Sequence, residues 1–384
     1  MRGIMEHLRN RGNMGSLFLS CGEASGDHYA ALLVRSLRSL GYLGTIWGML
    51  GDQASSAGGE PCWSSGSLSL MGVSEVLGSI PRLLRLKEDI AGTIINRDPA
   101  GVVVVDSPDF HIPLIRDLRS RGYGGKIFYL APPTVWAWRK GRADLLASYC
   151  DLCFPLFGFE RDFLESRGVP CRWFGHPLVN LGERTSPAAI DRKGFPKIAA
   201  LLPGSRRSEV RRILPVLAET AGLLEKRGYL PVFSMSAGLD AETVTMMREV
   251  LKDREIFEGP GAELMAASDM VVGASGTAAV EALILRKFMI VLYRASTSSW
   301  IAWKLLVRTP WISVPNILAG EEIYPELLQS KATARNIAGH LDVFLGEGEE
   351  KKRIEEGMER AATSLGGKDA PQGWAKSIME MIRH

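Results

Sequence analysis

The chain has 384 residues, 46% of them hydrophobic and 23% charged, with a formal net charge of +3. That length exceeds one ordinary core and suits two domains of roughly 150–200 residues; the composition excludes a disordered chain, and the near-neutral balance argues against nucleic acid as a partner. Cys21, Cys62, Cys150, Cys153 and Cys171 are too irregular for a disulfide framework and are expected to be reduced, cytosolic thiols; Cys150-x-x-Cys153 has zinc-knuckle spacing without a second pair, so no metal is expected.

Arg2, Arg9 and Arg11 in the first fifteen residues precede no apolar run of signal-peptide length, so this stretch reads as a frayed tail, or as sequence upstream of a start at Met5 or Met14. Residues 16–20 predict a short strand and residues 28–40 a helix. Between them runs Cys21-Gly22-Glu23-Ala24-Ser25-Gly26-Asp27-His28. Its small residues allow close backbone approach to a ligand, and Glu23, Asp27 and His28 can bind sugar hydroxyls. A helix capped by Ser25 or Asp27 accounts for the same residues.

Residues 68–86 contain Met71-Gly72-Val73, Val76-Leu77 and Arg82-Leu83-Leu84-Arg85. An apolar stretch ending in basic residues fits an anionic membrane or an acyl chain, and equally an amphipathic core helix. Gly101-Val102-Val103-Val104-Val105 has the β-branched character of a strand buried on both faces of a parallel sheet. Asp106-Ser107-Pro108-Asp109 follows. A carboxylate at the end of a buried strand is partly desolvated, which raises its pKa and makes Asp106 a candidate general base; a turn carboxylate is the alternative. Asp109 is the weaker candidate, since it can cap the helix after Pro108.

Strands are predicted at 126–130 and 152–155. Between them lies Ala131-Pro132-Pro133-Thr134-Val135-Trp136-Ala137-Trp138-Arg139-Lys140, whose tryptophans and cations can stack on a sugar or meet an acyl chain and a phosphate. The rings can equally pack beneath the loop. His176 has no nucleophile arranged around it and reads as structural. This alternation of strands and helices predicts a doubly wound α/β domain.

A similar series restarts at 198–202 and continues through 231–235, 270–272 and 289–292. Residues 175–196, with Pro177, Pro187 and Pro196, read as a linker between two Rossmann-like halves. The expected divisions are 1–185, 186–345 and a helical tail over 346–384. In the second half, Leu201-Leu202-Pro203-Gly204-Ser205-Arg206 and Ala274-Ser275-Gly276-Thr277-Ala278-Ala279-Val280-Glu281 each follow a strand and open a helix. That arrangement points backbone N–H groups and a helix N-terminus at an anion. Arg206 adds a planar cationic fork, and Glu281, about one turn beyond Thr277, can accept from a ribose hydroxyl. A nucleotide diphosphate site is expected; two βα turns that use Gly and Ser only to turn and cap are the alternative. Residues 300–319 contain Lys304, Arg308, Pro310 and Pro315 and cannot span a bilayer as a clean helix. Trp300, Trp303 and Trp311 beside those cations suit a membrane interface.

At these positions the chain resembles the lipid-A-disaccharide synthases, glycosyltransferases of bacterial outer-membrane biogenesis. The resemblance is carried by residues 22–27, Met71-Gly72-Val73-Ser74-Glu75-Val76-Leu77-Gly78, Asp106-Ser107-Pro108-Asp109-Phe110, Val135-Trp136-Ala137-Trp138-Arg139, the two second-half passages and Val314-Pro315-Asn316-Ile317-Leu318-Ala319-Gly320. It implies an α/β GT-B fold, two Rossmann-like domains facing a central cleft, with acceptor and membrane functions in the first half and the UDP site in the second.

It further implies transfer of 2,3-diacylglucosamine from its UDP conjugate to 2,3-diacylglucosamine 1-phosphate, giving a β-1,6-linked disaccharide 1-phosphate and UDP. Asp106 matches the family's proposed base and Arg206 the arginine near the donor diphosphate. Gly204, Ser205, Ser275, Gly276, Thr277, Glu281 and Asn316 are then expected on the donor, and Glu23, Ser25, Gly26, Asp27, Trp138 and Arg139 on the acceptor. No cofactor or metal is expected, because Arg206 and helix dipoles can neutralise the leaving diphosphate. The resemblance also implies a cytoplasmic protein peripheral to the inner membrane, final helices that cross back to the first domain, and a homodimer. His28, His111 and Arg207 depart from the family pattern. A UDP-sugar 2-epimerase and a non-catalytic sugar-nucleotide-binding protein are the competing classes.

Overall fold

The computed structural model describes residues 15–69, 76–136, 139–296, 300, 309–346 and 348–383. Strands β1 (Leu17–Cys21), β2 (Ile46–Leu50), β3 (Glu60–Ser64), β4 (Gly101–Val105), β5 (Lys126–Leu130) and β6 (Leu152–Phe154) form one parallel sheet in the order β3-β2-β1-β4-β5-β6. A second parallel sheet contains β7 (Lys197–Leu202), β8 (Tyr229–Ser234), β9 (Glu255–Phe257), β10 (Met270–Ala274), β11 (Met289–Tyr293) and β12 (Glu326–Leu328), in the order β12-β11-β10-β7-β8-β9.

Each sheet starts in its middle, runs to one edge, and then returns to the other side of its first strand. This is the doubly wound order, and it leaves a reversal point between β1 and β4 in one sheet and between β7 and β10 in the other. Register fixes what meets there. Cys21 pairs with Val105, so Gly22 and Asp106 leave the first sheet side by side. Leu202 pairs with Gly273, so the loops beginning at Pro203 and Ser275 start within one residue of each other.

The crossover helices explain why the central strands are apolar throughout. Parallel strands need such connections, and the connections cover both faces of the sheet. All of β1, β2 and β4 is buried. In the first unit, Phe18, Trp47, Val102, Val104 and Tyr129 share a core with Phe110, Leu114, Ile115 and Leu118 of the helix Pro108–Ser120.

The chain divides into two compact units. One holds the described residues up to Pro177 together with those from Gly366 onward, and the other is Leu178–Leu365. The helix Glu349–Thr363 belongs to the second unit. The last helix, Ala370–Met381, packs on the helix Ala24–Ser39 of the first unit and buries Trp374.

Candidate active site

In the second unit, β7 runs into Pro203-Gly204-Ser205-Arg206 and the helix Arg207–Glu225. Gly204 has φ +116°, and a Cβ there would lie 2.7 Å from the Cβ of Glu209, so the turn needs glycine for both conformation and space. Glu209 closes a capping box. Its Oε2 accepts from Ser205 N at 3.2 Å and Arg206 N at 3.4 Å, and its Oε1 from Arg206 Nη1 at 3.2 Å. A carboxylate of the protein therefore sits on the amides where the sequence places a phosphate, as expected of negative charge at a helix N-terminus. The Arg206 side chain is 60% exposed.

The second turn is capped by Gly276 and opens the helix Thr277–Ile284. Ser275 N–H donates to Leu292 O at 3.0 Å, so this amide serves the sheet and not an anion. Of the first-turn N–H groups, that of Ala279 donates to the capping Gly276 O at 3.1 Å, and those of Thr277 and Ala278 have no acceptor within their helix. Glu281 makes no side-chain hydrogen bond or ion pair with another described residue, and burial raises its pKa. It is a half-buried carboxylate that accepts from no side chain or amide among the described residues, one turn inside a helix that begins at the reversal point.

Asn316 does not have that freedom. Its side-chain amide is fully buried and donates to Tyr324 O at 2.8 Å and Glu326 Oε1 at 2.9 Å, while its oxygen accepts from Ile323 N and Tyr324 N. Two donors and two acceptor positions exhaust what an asparagine offers. The expected donor contact by Asn316 is therefore corrected to a structural tie between the helix Val314–Ala319 and the strand after it.

In the first unit, Gly22 follows β1 and Asp106 follows β4. A Cβ on Gly22 would lie 2.2 Å from Ser107 Oγ and 2.8 Å from Leu68 Cδ1, so a larger residue there would force these side chains to move. Asp106 is half-buried, with φ +52°, and Ser107 has φ +45°; two successive non-glycine residues in the left-handed region mark a strained turn. The Asp106 carbonyl accepts from His111 Nδ1 at 2.7 Å and from the Tyr129 hydroxyl at 2.8 Å.

Asp27 is buried and caps the helix Asp52–Ser56, accepting from Gly51, Gln53 and Ala54 N–H groups at 2.9–3.1 Å. Its expected role on the acceptor is corrected to anchoring the β2 loop. Glu23 and Ser25 are half-buried at the helix start, and Gly26 is buried. Asp109 is exposed and pairs with Arg139 at 3.0 Å and with Arg142, which ties the loop after β5 to the helix after β4. Trp138 lies outside the described residues, as do residues 70–75 and 301–308.

Sequence reasoning missed Glu160. It is buried, accepts from Trp136 Nε1 at 3.0 Å, and holds the aromatic loop to the helix Gly158–Glu165; desolvation by burial pushes its carboxyl up to about 7. Nothing in its local sequence signals this, because the partner lies 24 residues away. Glu209 was legible in principle as the glutamate three residues after Arg206. Among the described residues, no cluster of three or more His, Cys, Asp or Glu side chains is arranged to hold a metal ion.

A family model described as lipid-A-disaccharide synthetase matches residues 17–374. The lipid-A-disaccharide synthase of Myxococcus xanthus is 34% identical over 378 residues, covering 96% of this chain and 98% of that protein. Among solved structures, the UDP-GlcNAc 2-epimerase of Neisseria meningitidis bound to UDP-GlcNAc superposes with a TM-score of 0.65 at 12% identity, covering 95% of this chain and 100% of that one. A kitacinnamycin glycosyltransferase superposes at 0.64 and 12% identity, covering 96% and 99%. Such distant likenesses establish the GT-B fold alone. The sequence match through both units goes further: this chain belongs to the lipid-A-disaccharide synthase family.

Proposed function

We propose that the chain is an inverting hexosyltransferase that moves 2,3-diacylglucosamine from UDP to the 6-hydroxyl of 2,3-diacylglucosamine 1-phosphate. The observation that carries this reading is the family match over residues 17–374, which includes the turns at both reversal points. In the reaction, the acceptor oxygen attacks the donor's anomeric carbon from the face opposite the diphosphate. A new C–O bond forms as the C1–O–phosphate bond breaks, and the hydroxyl proton passes to the Asp106 carboxylate. Positive charge from Arg206, with N–H groups of Gly204, Ser205, Gly276 and Thr277 and the Ser275 hydroxyl, stabilises the departing UDP. For Ser205 this requires Glu209 to release its amide. Glu281 accepts from the ribose. Glu23, Ser25, Gly26, Trp138 and Arg139 serve the acceptor in this reading; Asp27 and Asn316 do not contact substrate.

Association with the cytoplasmic face of the inner membrane belongs to the same proposal. No helix among the described residues is long and apolar enough to cross a membrane. The helix Val76–Arg97 presents Leu84 at 57% exposure beside Arg82 and Arg85, a pairing suited to an anionic surface. A homodimer is the assembly expected of this reading, read by sedimentation.

The test is incubation of the full chain with UDP-2,3-diacylglucosamine and 2,3-diacylglucosamine 1-phosphate, followed by mass spectrometry and the anomeric coupling constant of the product. A β-linked disaccharide 1-phosphate with stoichiometric UDP supports the proposal. An epimerised UDP-sugar, or bound but unchanged donor, refutes it. Asp106→Asn should lower kcat by ~10²–10⁴-fold with the fold intact; near-normal turnover would remove Asp106 as the base.

A further inference from the structure

Two buried donors converge on the main-chain oxygen of Asp106. The His111 ring and the Tyr129 hydroxyl reach it at 2.7 and 2.8 Å, one from the helix Pro108–Ser120 and the other from β5. A carbonyl only accepts, so His111 carries its proton on Nδ1, and its Nε2 must accept. Ser20, in β1, supplies that bond through its hydroxyl at 2.8 Å. Ser20, His111 and Tyr129 are all fully buried. The chain Ser20–His111–Asp106 thus links the ends of β1 and β4 across the reversal point.

The oxygen being held belongs to a residue at φ +52°, followed by one at φ +45°. Such a turn relaxes unless the surrounding structure holds it, and the plane of the Asp106–Ser107 peptide sets where the Asp106 side chain leaves the backbone. We infer that His111 and Tyr129 are positioning residues that fix the Asp106 carboxylate for proton transfer by clamping its main-chain carbonyl. This rests on the proposed role of Asp106. Neither residue touches substrate in this account. Their effect is on the orientation of the base, to which proton-transfer rates are steeply sensitive.

The experiment compares His111→Leu, His111→Asn and Tyr129→Phe with the unaltered chain. His111→Leu removes the donor, whereas the Asn amide nitrogen stands close to where Nδ1 does and can restore that single bond. His111→Leu should lower kcat by ~10²-fold with the KM values for both substrates unchanged. His111→Asn should recover most of that loss, and Tyr129→Phe should give a smaller loss of the same kind. Full kcat in His111→Leu with an unmoved Asp106 carboxyl resonance, or an equal loss in His111→Asn, overturns the inference.

A readout independent of turnover is the carboxyl ¹³C resonance of Asp106, assigned by its disappearance in Asp106→Asn. It should move in His111→Leu and Tyr129→Phe and return towards its original position in His111→Asn. A resonance unmoved by both losses of a donor overturns the clamp, even if the chain turns over neither sugar. Conversely, a moved resonance beside unaffected transfer refutes the role of Asp106 as base, not the clamp. Tyr129→Phe keeps the ring and its packing, so it reports on the clamp where a leucine at position 111 fails to fold.

Discussion

Asp27 and Asn316 are buried polar side chains and Glu281 is a half-buried one, and they differ in what is left of their hydrogen-bonding capacity. Asp27 receives three backbone N–H groups and Asn316 makes four bonds. Glu281 makes none to a described residue, and burial alone accounts for its raised pKa. A partly desolvated carboxylate without compensating partners lowers stability, because its lost hydration is not repaid. Glu281→Ala is therefore expected to act in opposite directions on two measurements. The melting temperature should rise, while the dissociation constant for UDP should increase by ~10-fold, the loss of roughly one hydrogen bond to a charged acceptor. Calorimetric melting and UDP titration check both. A lower melting temperature with unchanged UDP affinity would make Glu281 an ordinary structural carboxylate.

At the scale of elements, the site in each unit depends on how closely two loops approach at the reversal point. Gly22 is the clearest case, since a Cβ there would collide with Ser107 Oγ and lie 2.8 Å from Leu68 Cδ1. Gly22→Ala adds one methyl group and no charge, yet it should push the Asp106–Ser107 turn out of place and lower kcat by ~10²-fold. Steady-state kinetics with circular dichroism checks this; an alanine variant with unaltered kcat would show that the turn adapts freely.

The sequence signals that predicted these elements were strongest where burial is greatest. The runs at 101–105 and 126–130 became β4 and β5 with the same bounds, because strands buried on both faces must be apolar throughout. Four strands escaped that reading. β3 is Glu-Pro-Cys-Trp-Ser at a sheet edge and mostly exposed, β9 and β12 are three residues long, and β2 is interrupted by Gly48. The two turns after β7 and β10 were legible because their Gly and Ser residues are local signals. The partners of Asp27 and the Tyr129 hydroxyl on Asp106 were not, since each is set by where a distant strand or helix comes to rest. His111, noted in the sequence only as a departure, gained its meaning from Ser20, which is 91 residues away.

Over the whole molecule, three titratable groups of the first unit are buried deeply enough to make its stability depend on pH near neutrality. Burial lowers His111 from 6.5 to about 4, against the opposing hydrogen bond to the Asp106 carbonyl, and lowers His176 to about 3. Each histidine takes up its proton first in the unfolded chain. Its contribution is therefore fully present above pH 6.5 and is lost as the pH falls towards the folded value. Glu160 acts in the opposite sense. Burial raises it from 4.5 to about 7, more than the bonds from Trp136, Phe157 and Leu156 lower it, so the folded state holds its proton longer and stability declines as the pH rises from 4.5 to 7. Between pH 6 and 5 these three groups give two protons favouring the unfolded chain against one favouring the folded chain. The net is a loss of ~1.4 kcal/mol per pH unit on acidification. Urea unfolding followed at pH 7, 6 and 5 should show the midpoint of the first unit's transition falling across the lower interval. His176→Phe keeps the ring that stacks on Phe157 at 5.1 Å but removes one of the two protons. It should leave the histidine and Glu160 contributions balanced and the midpoint nearly level between pH 6 and 5. A midpoint that rises on acidification in the unaltered chain, or a slope that His176→Phe leaves unchanged, would contradict the assignment of these buried groups as the source of the dependence.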